Sequence, residues 1–357
     1  DTTQSSQSDR VRVYINGEQQ TLTISTNVNQ NTNMGFNSAS ANLRIGGQES
    51  GSETWKGLMS HVHFCDGYSY GPDSFGSTDS TTGEWKLNTS PSVTYGNNGF
   101  WVFKDDAAVT DRSGQGNNFT MSGSITPTVD NPSNVFATGN PLQFISSGCN
   151  LTFEHGNNTI QNDCAVGNIA TLGASSGKYY WEGKLISFIN SGGGGANNYQ
   201  IGINGTIFST NTQFTGGSNP YGYSYLGTGN KGNNGSESSF GNTYTNNDII
   251  GVAMDLDNNK LYFSKNGTWQ NSGDHTSGST GTGSAYTITA VSSTDAGFYF
   301  PCYGHKENRA KWSMNFGNGY FGTTAVSSAG TNASGNGIFE YDVPNGYTAL
   351  STKGLNT

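Results

Sequence analysis

Apolar residues in this chain recur at every second position and are cut off at short intervals by dipeptides that favour positive φ. In DIIGVAMDLDNNKLYFSKNG (248–267), Ile250, Val252, Met254 and Leu256 fall on one face, Asp257-Asn258-Asn259 turns the chain, and Leu261 and Phe263 resume that face on the return strand. This is the pattern of a core hairpin. RVRVYINGEQQTLTIS (10–25) repeats it: Val11, Val13 and Ile15 alternate, Asn16-Gly17 supplies the turn, and Leu22 and Ile24 return on a partner strand. WKGLMSHVHFCDG (55–67) places Leu58, Val62 and Phe64 on one face and Met59, His61, His63 and Cys65 on the other before stopping at Asp66-Gly67. GKYYWEGKLI (177–186), NYQIGING (198–205) and KWSMNFG (311–317) alternate in the same way, and long windows with a 3.6-residue apolar period are absent. The predicted fold class is all-β, two consecutive antiparallel β-sandwich (jelly-roll-like) modules with little helix.

A length of 357 residues suffices for two separate cores. Residues 1–103 make the first predicted module. Residues 104–140, rich in Asp, Gly, Asn and Ser with little apolar alternation, make a linker. Residues 141–350 make the second module and 351–357 a tail. Trp181 and Phe316 are predicted core aromatics. NSGGGGANN (190–198) and LGTGNKGNNGSESSFGN (226–242) read as surface loops, too rich in Gly and Asn to carry a packed core.

Charged residues make up 11% of the chain, against roughly a quarter in soluble globular proteins, so the surface is solvated by neutral polar groups. The 18 Tyr, 19 Phe and 6 Trp argue for a folded chain, since disordered ones lack aromatics. With a net charge of −9 and 16 Lys and Arg scattered singly, no basic patch is expected to bind nucleic acid. No apolar run approaches the ~20 residues of a membrane span, so no membrane insertion is expected. The opening DTTQSSQSDR has neither an initiator Met nor an apolar leader, and the chain is expected to begin inside a longer protein. Four dispersed cysteines read as small buried thiols, with pairing of Cys149 and Cys164 across a hairpin left open.

The signatures GxSxG, HExxH, GxxxxGK[ST] and the EF-hand loop do not occur, nor does a Glu-x-Asp-x-x-Glu strand of the kind that retaining glycanases use. No enzymatic activity, metal or cofactor is expected. His61 and His63 with Asp66 could suit a transition ion, but two polar positions on the outer face of a strand is the reading adopted. Asp255 and Asp257 could suggest a cation site and are read instead as turn residues.

VYINGE (13–18) and LRIGG (43–47) resemble motifs of the C-terminal part of a laminin-G or concanavalin-like sandwich. WKGLMSHVHFCDG, GPDSFGSTDSTTGEW (71–85), YGNNGFWVFKDDAA (95–108) and DRSGQGNNFT (111–120) together resemble a segment found in bacteriophage tail-fibre and other virion proteins. SGKYYWEGKL (176–185), IGVAMDLDNNKLYFSKNGTW (250–269) and WSMNFG (312–317) resemble a SPRY domain, a bent β-sandwich, and FEYDVPNGYTALSTKGLN (339–356) resembles the end of such phage modules. The first module lacks the opening strands its family requires, so a preceding segment or another subunit is expected to complete it.

These likenesses imply an extracellular virion protein with other virion proteins as partners, self-associated into a homo-oligomer, and either a host-surface glycan or a protein as receptor. A purely architectural virion protein and a cell-surface glycan-binding protein are the alternatives. Recognition is expected in the loops of the second module. In NPYGYSYLGTGN (219–230), Tyr221, Tyr223 and Tyr225 alternate and so share one face. With Asn230, Asn233 and Asn234 of the adjoining segment they form the predicted ligand-binding set, rigid rings for sugar faces and amides for hydroxyls.

Overall fold

The computed structural model describes residues 1–33, 42–47, 55, 59–80, 83, 85–104, 109–123, 130, 134–144, 151–162, 166–189, 198–206, 219–305 and 309–356. Cys149, Cys164 and all but the last residue of the 190–198 loop lie outside the described residues. The chain divides into two compact units, Asp1–Pro127 with Asn131–Ser133, and Thr128–Asp130 with Asn134–Thr357. The fold is all-β, and among the described residues helix is limited to Gln7–Arg10 and short 3-10 turns.

In the first unit the described strands pair two by two. Tyr14–Ile15 and Glu18–Gln19 pair around the expected turn, with Asn16 at φ 51° and Gly17 at φ 83°, but each strand is only two residues long, Leu22 and Ile24 lie outside the return strand, and Val13, Ile15 and Leu22 are exposed rather than in a core. A side chain at Gly17 would collide with the Trp85 ring, which the hairpin covers. Gly76–Thr78 pairs with Trp85–Leu87, and Val62–Phe64 with Phe100–Val102. The face carrying His63 is not an outer one. Its ring packs 4.9 Å from Trp101 and 5.2 Å from Phe75, and its Nδ1 lies 2.8 Å from the Tyr95 hydroxyl. Period two allots residues to faces without saying which face is covered, and here aromatic neighbours cover it. Asp66 accepts both hydrogen bonds that Asn98 sends it, and among the described residues no three His, Cys, Asp or Glu side chains converge as a metal site.

The second unit is a two-sheet sandwich. One sheet has seven strands in the order Ser236–Ser239, Asn230–Asn233, Gly222–Leu226, Tyr199–Asn204, Phe300–His305, Val166–Ala170 and Gly139–Phe144, all antiparallel. The other runs Thr268–Trp269, Lys260–Lys265, Ile249–Asp255, Lys178–Ile189, Arg309–Asn315, Thr159–Asn162 and Leu151–Glu154. Tyr286–Thr287 adds to it beside Lys260–Lys265, and Thr348–Ala349 pairs in parallel with Lys178–Ile189.

Between the sheets lies one apolar core in which Ile201, Ile203 and Tyr225 of the first meet Trp181, Val252, Phe263 and Trp312 of the second, each at most 1% exposed. Phe316 is as deeply buried. Gly183 makes the closest approach possible: a Cβ there would stand 2.5 Å from Ile201 Cδ1. A register shift between Leu185 and Ser187 lets Phe188 pack 4.7 Å from the Tyr199 ring. Hairpin 249–265 forms as the periodicity predicts; Asp255 organises its turn by accepting the Asn258 backbone and side-chain amides, whereas Asp257 ties the turn to the neighbouring chain by accepting the Gly177 N–H.

Residues 179–183 of the strand Lys178–Ile189 are buried on both faces, which the alternation read in 177–186 did not reveal. Trp181, Gly183 and Leu185 face the core; Tyr180 and Glu182 face outward and are covered by residues 338–341. Glu182 anchors this closing segment. Its Oε1 accepts the Tyr180 hydroxyl at 3.0 Å and the Tyr341 N–H at 2.9 Å, its Oε2 the Glu340 N–H at 2.9 Å and Asn315 Nδ2 at 3.3 Å.

Candidate functional site

The predicted ligand-binding set falls apart on the sandwich. Tyr223 and Tyr225 do share a face of the strand Gly222–Leu226, but it is the inner one, and they are 5% and 0% exposed. Tyr225 packs 5.5 Å from Phe263 of the opposite sheet and donates its hydroxyl to the Asn242 carbonyl; Tyr223 meets Tyr286 at 5.0 Å and Thr289 Oγ1 at 3.0 Å. They are core residues, and ligand contact is withdrawn for them. The strand is third from its sheet's edge, so neighbours on both sides fix it with these rings inward.

Tyr221 is half-buried against the same core. Asn233 Nδ2 donates to the carbonyls of Pro220 and Gly222 at 3.0 and 2.8 Å, closing the chain's own loop, and Asn230 Nδ2 reaches Glu237 at 3.4 Å. Segment 226–242 is therefore not a loop: Asn230–Asn233 and Ser236–Ser239 form a hairpin turned by Asn234 at φ 48° and Gly235 at φ 75°. Its Asn-Gly turn signal outweighed its weak strand composition. Of the six residues, Asn234 alone is exposed, at a hairpin tip beside the fully exposed edge strand Ser236–Ser239.

A second feature lies on the outer face of the other sheet. Glu182, Gly251, Ser264 and Trp269 occupy successive positions across four neighbouring strands. Gly251 keeps this row open, since a Cβ there would stand 2.7 Å from the Tyr180 hydroxyl. Beside the row a cleft of about 380 Å3 opens, floored by Tyr180 and Ser264. Trp269 and His275, their rings 4.8 Å apart, line it together with Gly267, Thr331 and Tyr341–Asn345. Thr331 donates its backbone N–H and hydroxyl to Asp342 Oδ1 at 2.7 and 2.8 Å, and Val343 N–H returns a bond to the Thr331 carbonyl. Gly267, at φ 79°, lets Tyr341 lie on the turn, because a Cβ would come within 2.6 Å of its ring.

Burial lowers the pKa of His275 below its ordinary 6.5, with Lys178 adding to this and Asp274 opposing it, so the imidazole is neutral near pH 7. Its Nδ1 is buried without a hydrogen-bond partner. The sequence reading missed this site because its parts are scattered over 180–345. The visible signals were a Trp leaving a hairpin two residues after Asn266-Gly267, and a Glu inside an aromatic strand.

Residues 178–319 match the SPRY domain family. SPRY domains mediate protein–protein interactions, and the match suggests a recognition module. The SPRY domain of human HERC1 is similar over 49% of this chain and 96% of its own length, at 17% sequence identity and a TM-score of 0.34. A search of curated proteins gives no match. The cleft wall formed by residues 331–345 lies outside the matched segment.

Proposed function

We propose that this chain is a non-catalytic recognition protein of a bacteriophage particle, part of a fibre, spike or other appendage, whose second unit holds a protein on the host surface. The observation that carries the recognition role is the SPRY match over 178–319, which falls on a sandwich with a continuous core. Placement on a virion is supported by the sequence likenesses at 55–67, 71–85, 95–108, 111–120 and 339–356. Other virion proteins and further copies of this chain are the proposed neighbours. For the partner-binding surface, the hairpin tip at Asn234 and the exposed edge strand Ser236–Ser239 take the place of the tyrosines. An edge strand offers backbone groups to an incoming strand, and loops on a rigid scaffold vary without disturbing the core.

Antibodies raised against the chain test this on intact particles by electron microscopy and adsorption. Label at an appendage tip with blocked adsorption is expected. Label without any effect on adsorption favours the architectural alternative, and particles that never label remove the virion reading.

A further inference from the structure

We propose that the cleft lined by Trp269, His275 and Tyr341–Asn345 binds a neutral pyranose sugar, one terminal ring of a glycan. The inference does not depend on where the protein is displayed, and the site is separate from the hairpin edge.

The volume, about 380 Å3, lies near the lower end of small-ligand sites, roughly 300–1,000 Å3, which suits a compact ring. Two half-buried aromatics, Trp269 and Tyr341, line the cleft. An aromatic face is the surface on which the C–H side of a pyranose packs.

Hydrogen-bonding groups at the walls are left unused by the fold. His275 Nδ1 is buried and unpartnered. Asp342 gives Oδ1 to Thr331, while its Oδ2, the Trp269 indole N–H and the Asn345 amide take part in no bond among the described residues. This mixture of donors and acceptors fits hydroxyl groups, which both donate and accept. A buried unpaired imidazole nitrogen calls for a partner, and a ligand hydroxyl supplies one.

Charge narrows the class further. No Lys or Arg lines the cleft, and Asp342 is its one carboxylate, so an anionic ligand is disfavoured. The walls are also preset: Glu182 fixes the backbone at 340–341, Thr331 fixes Asp342, and Gly267 seats Tyr341. Pre-organisation of this kind lowers the entropic cost of binding.

The test is titration of the full chain with methyl glycosides of glucose, galactose, mannose and N-acetylglucosamine, and separately with a short arginine peptide, followed by NMR and tryptophan fluorescence. At least one glycoside is expected to bind with a Kd of about a millimolar, weakened roughly tenfold or more by Trp269→Ala and by Asp342→Asn. Asp342→Asn keeps an oxygen for Thr331 and decides the matter if Trp269→Ala does not fold. No glycoside binding at roughly 50 mM overturns the proposal. So does binding that both variants retain, and so does capture of the arginine peptide alone.

Discussion

Replacing Glu182 by Gln probes the anchor of the closing segment, and its effect is expected to change with pH. The side chain is fully buried and faces four donors: the Tyr180 hydroxyl, the Asn315 amide and the backbone N–H groups of Glu340 and Tyr341. Burial pushes its pKa up from 4.5 to about 7, outweighing the opposite pull of those donors. The folded state then holds the proton more tightly than the unfolded chain. The contribution to stability is fully present below pH 4.5 and is lost as pH rises through 7. At about 1.4 kcal/mol per pH unit, the loss across this window is about 3 kcal/mol. Gln does not titrate, so its protein lacks that slope. Its amide nitrogen meets buried donors at every pH, costing about 1–3 kcal/mol for a donor left without an acceptor. Urea unfolding of both proteins from pH 4.5 to 8 reads the difference, in which all other titrating groups cancel. The variant is expected to be the less stable at pH 4.5 and to match or exceed the parent at pH 8. A stability difference that stays constant with pH, or that grows as pH rises, refutes the raised pKa.

Three further outcomes are expected. Gly183→Ala drives a methyl group against Ile201 and should lower stability by about 1–3 kcal/mol in urea, with partial recovery when Ile201→Val is added; a single variant as stable as the parent would mean the sheets do not meet there. Tyr225→Phe removes the hydroxyl donated to the Asn242 carbonyl and should cost about 1 kcal/mol while leaving ligand and partner binding unchanged, whereas lost binding at unchanged stability would return Tyr225 to the surface. Burial, with the neighbouring His61, brings His63 down from 6.5 to about 4, so the first unit should be most stable above pH 6.5 and lose stability as pH falls through 4; an imidazole NMR titration with a midpoint above 6 counts against this.

The hairpin at 249–265 was legible because each apolar position, the turn and the return strand all obey one period and one register. The same rule grouped Tyr223 with Tyr225 correctly but left open which side faced the core, a choice made by the strands at 199–204 and 230–233. His63 went the same way. In 226–242 composition pointed to a loop, whereas the Asn-Gly pair specified a turn that the neighbouring strand could template. Glu182 sat in plain view inside KYYWEGKL. A carboxylate between aromatics on a central strand requires several donors, yet nothing local says that two of them are backbone groups at 340 and 341.

Glu182 meets its backbone partners 158 and 159 positions later in the chain, and Tyr179 and Tyr180 pair with Thr348 and Ala349. During synthesis the outer face of that strand, with its carboxylate, emerges long before the segment that covers it. Until then the carboxylate is solvated or protonated, and the sheet exposes aromatic rings. Such long-range closure makes folding slow and leaves a nascent chain open to wrong pairings. Ribosome-bound chains ending near residue 330 should therefore hold an open sheet that proteases cut and chaperones bind, with protection arriving as one late event when residues 338–350 become free to dock.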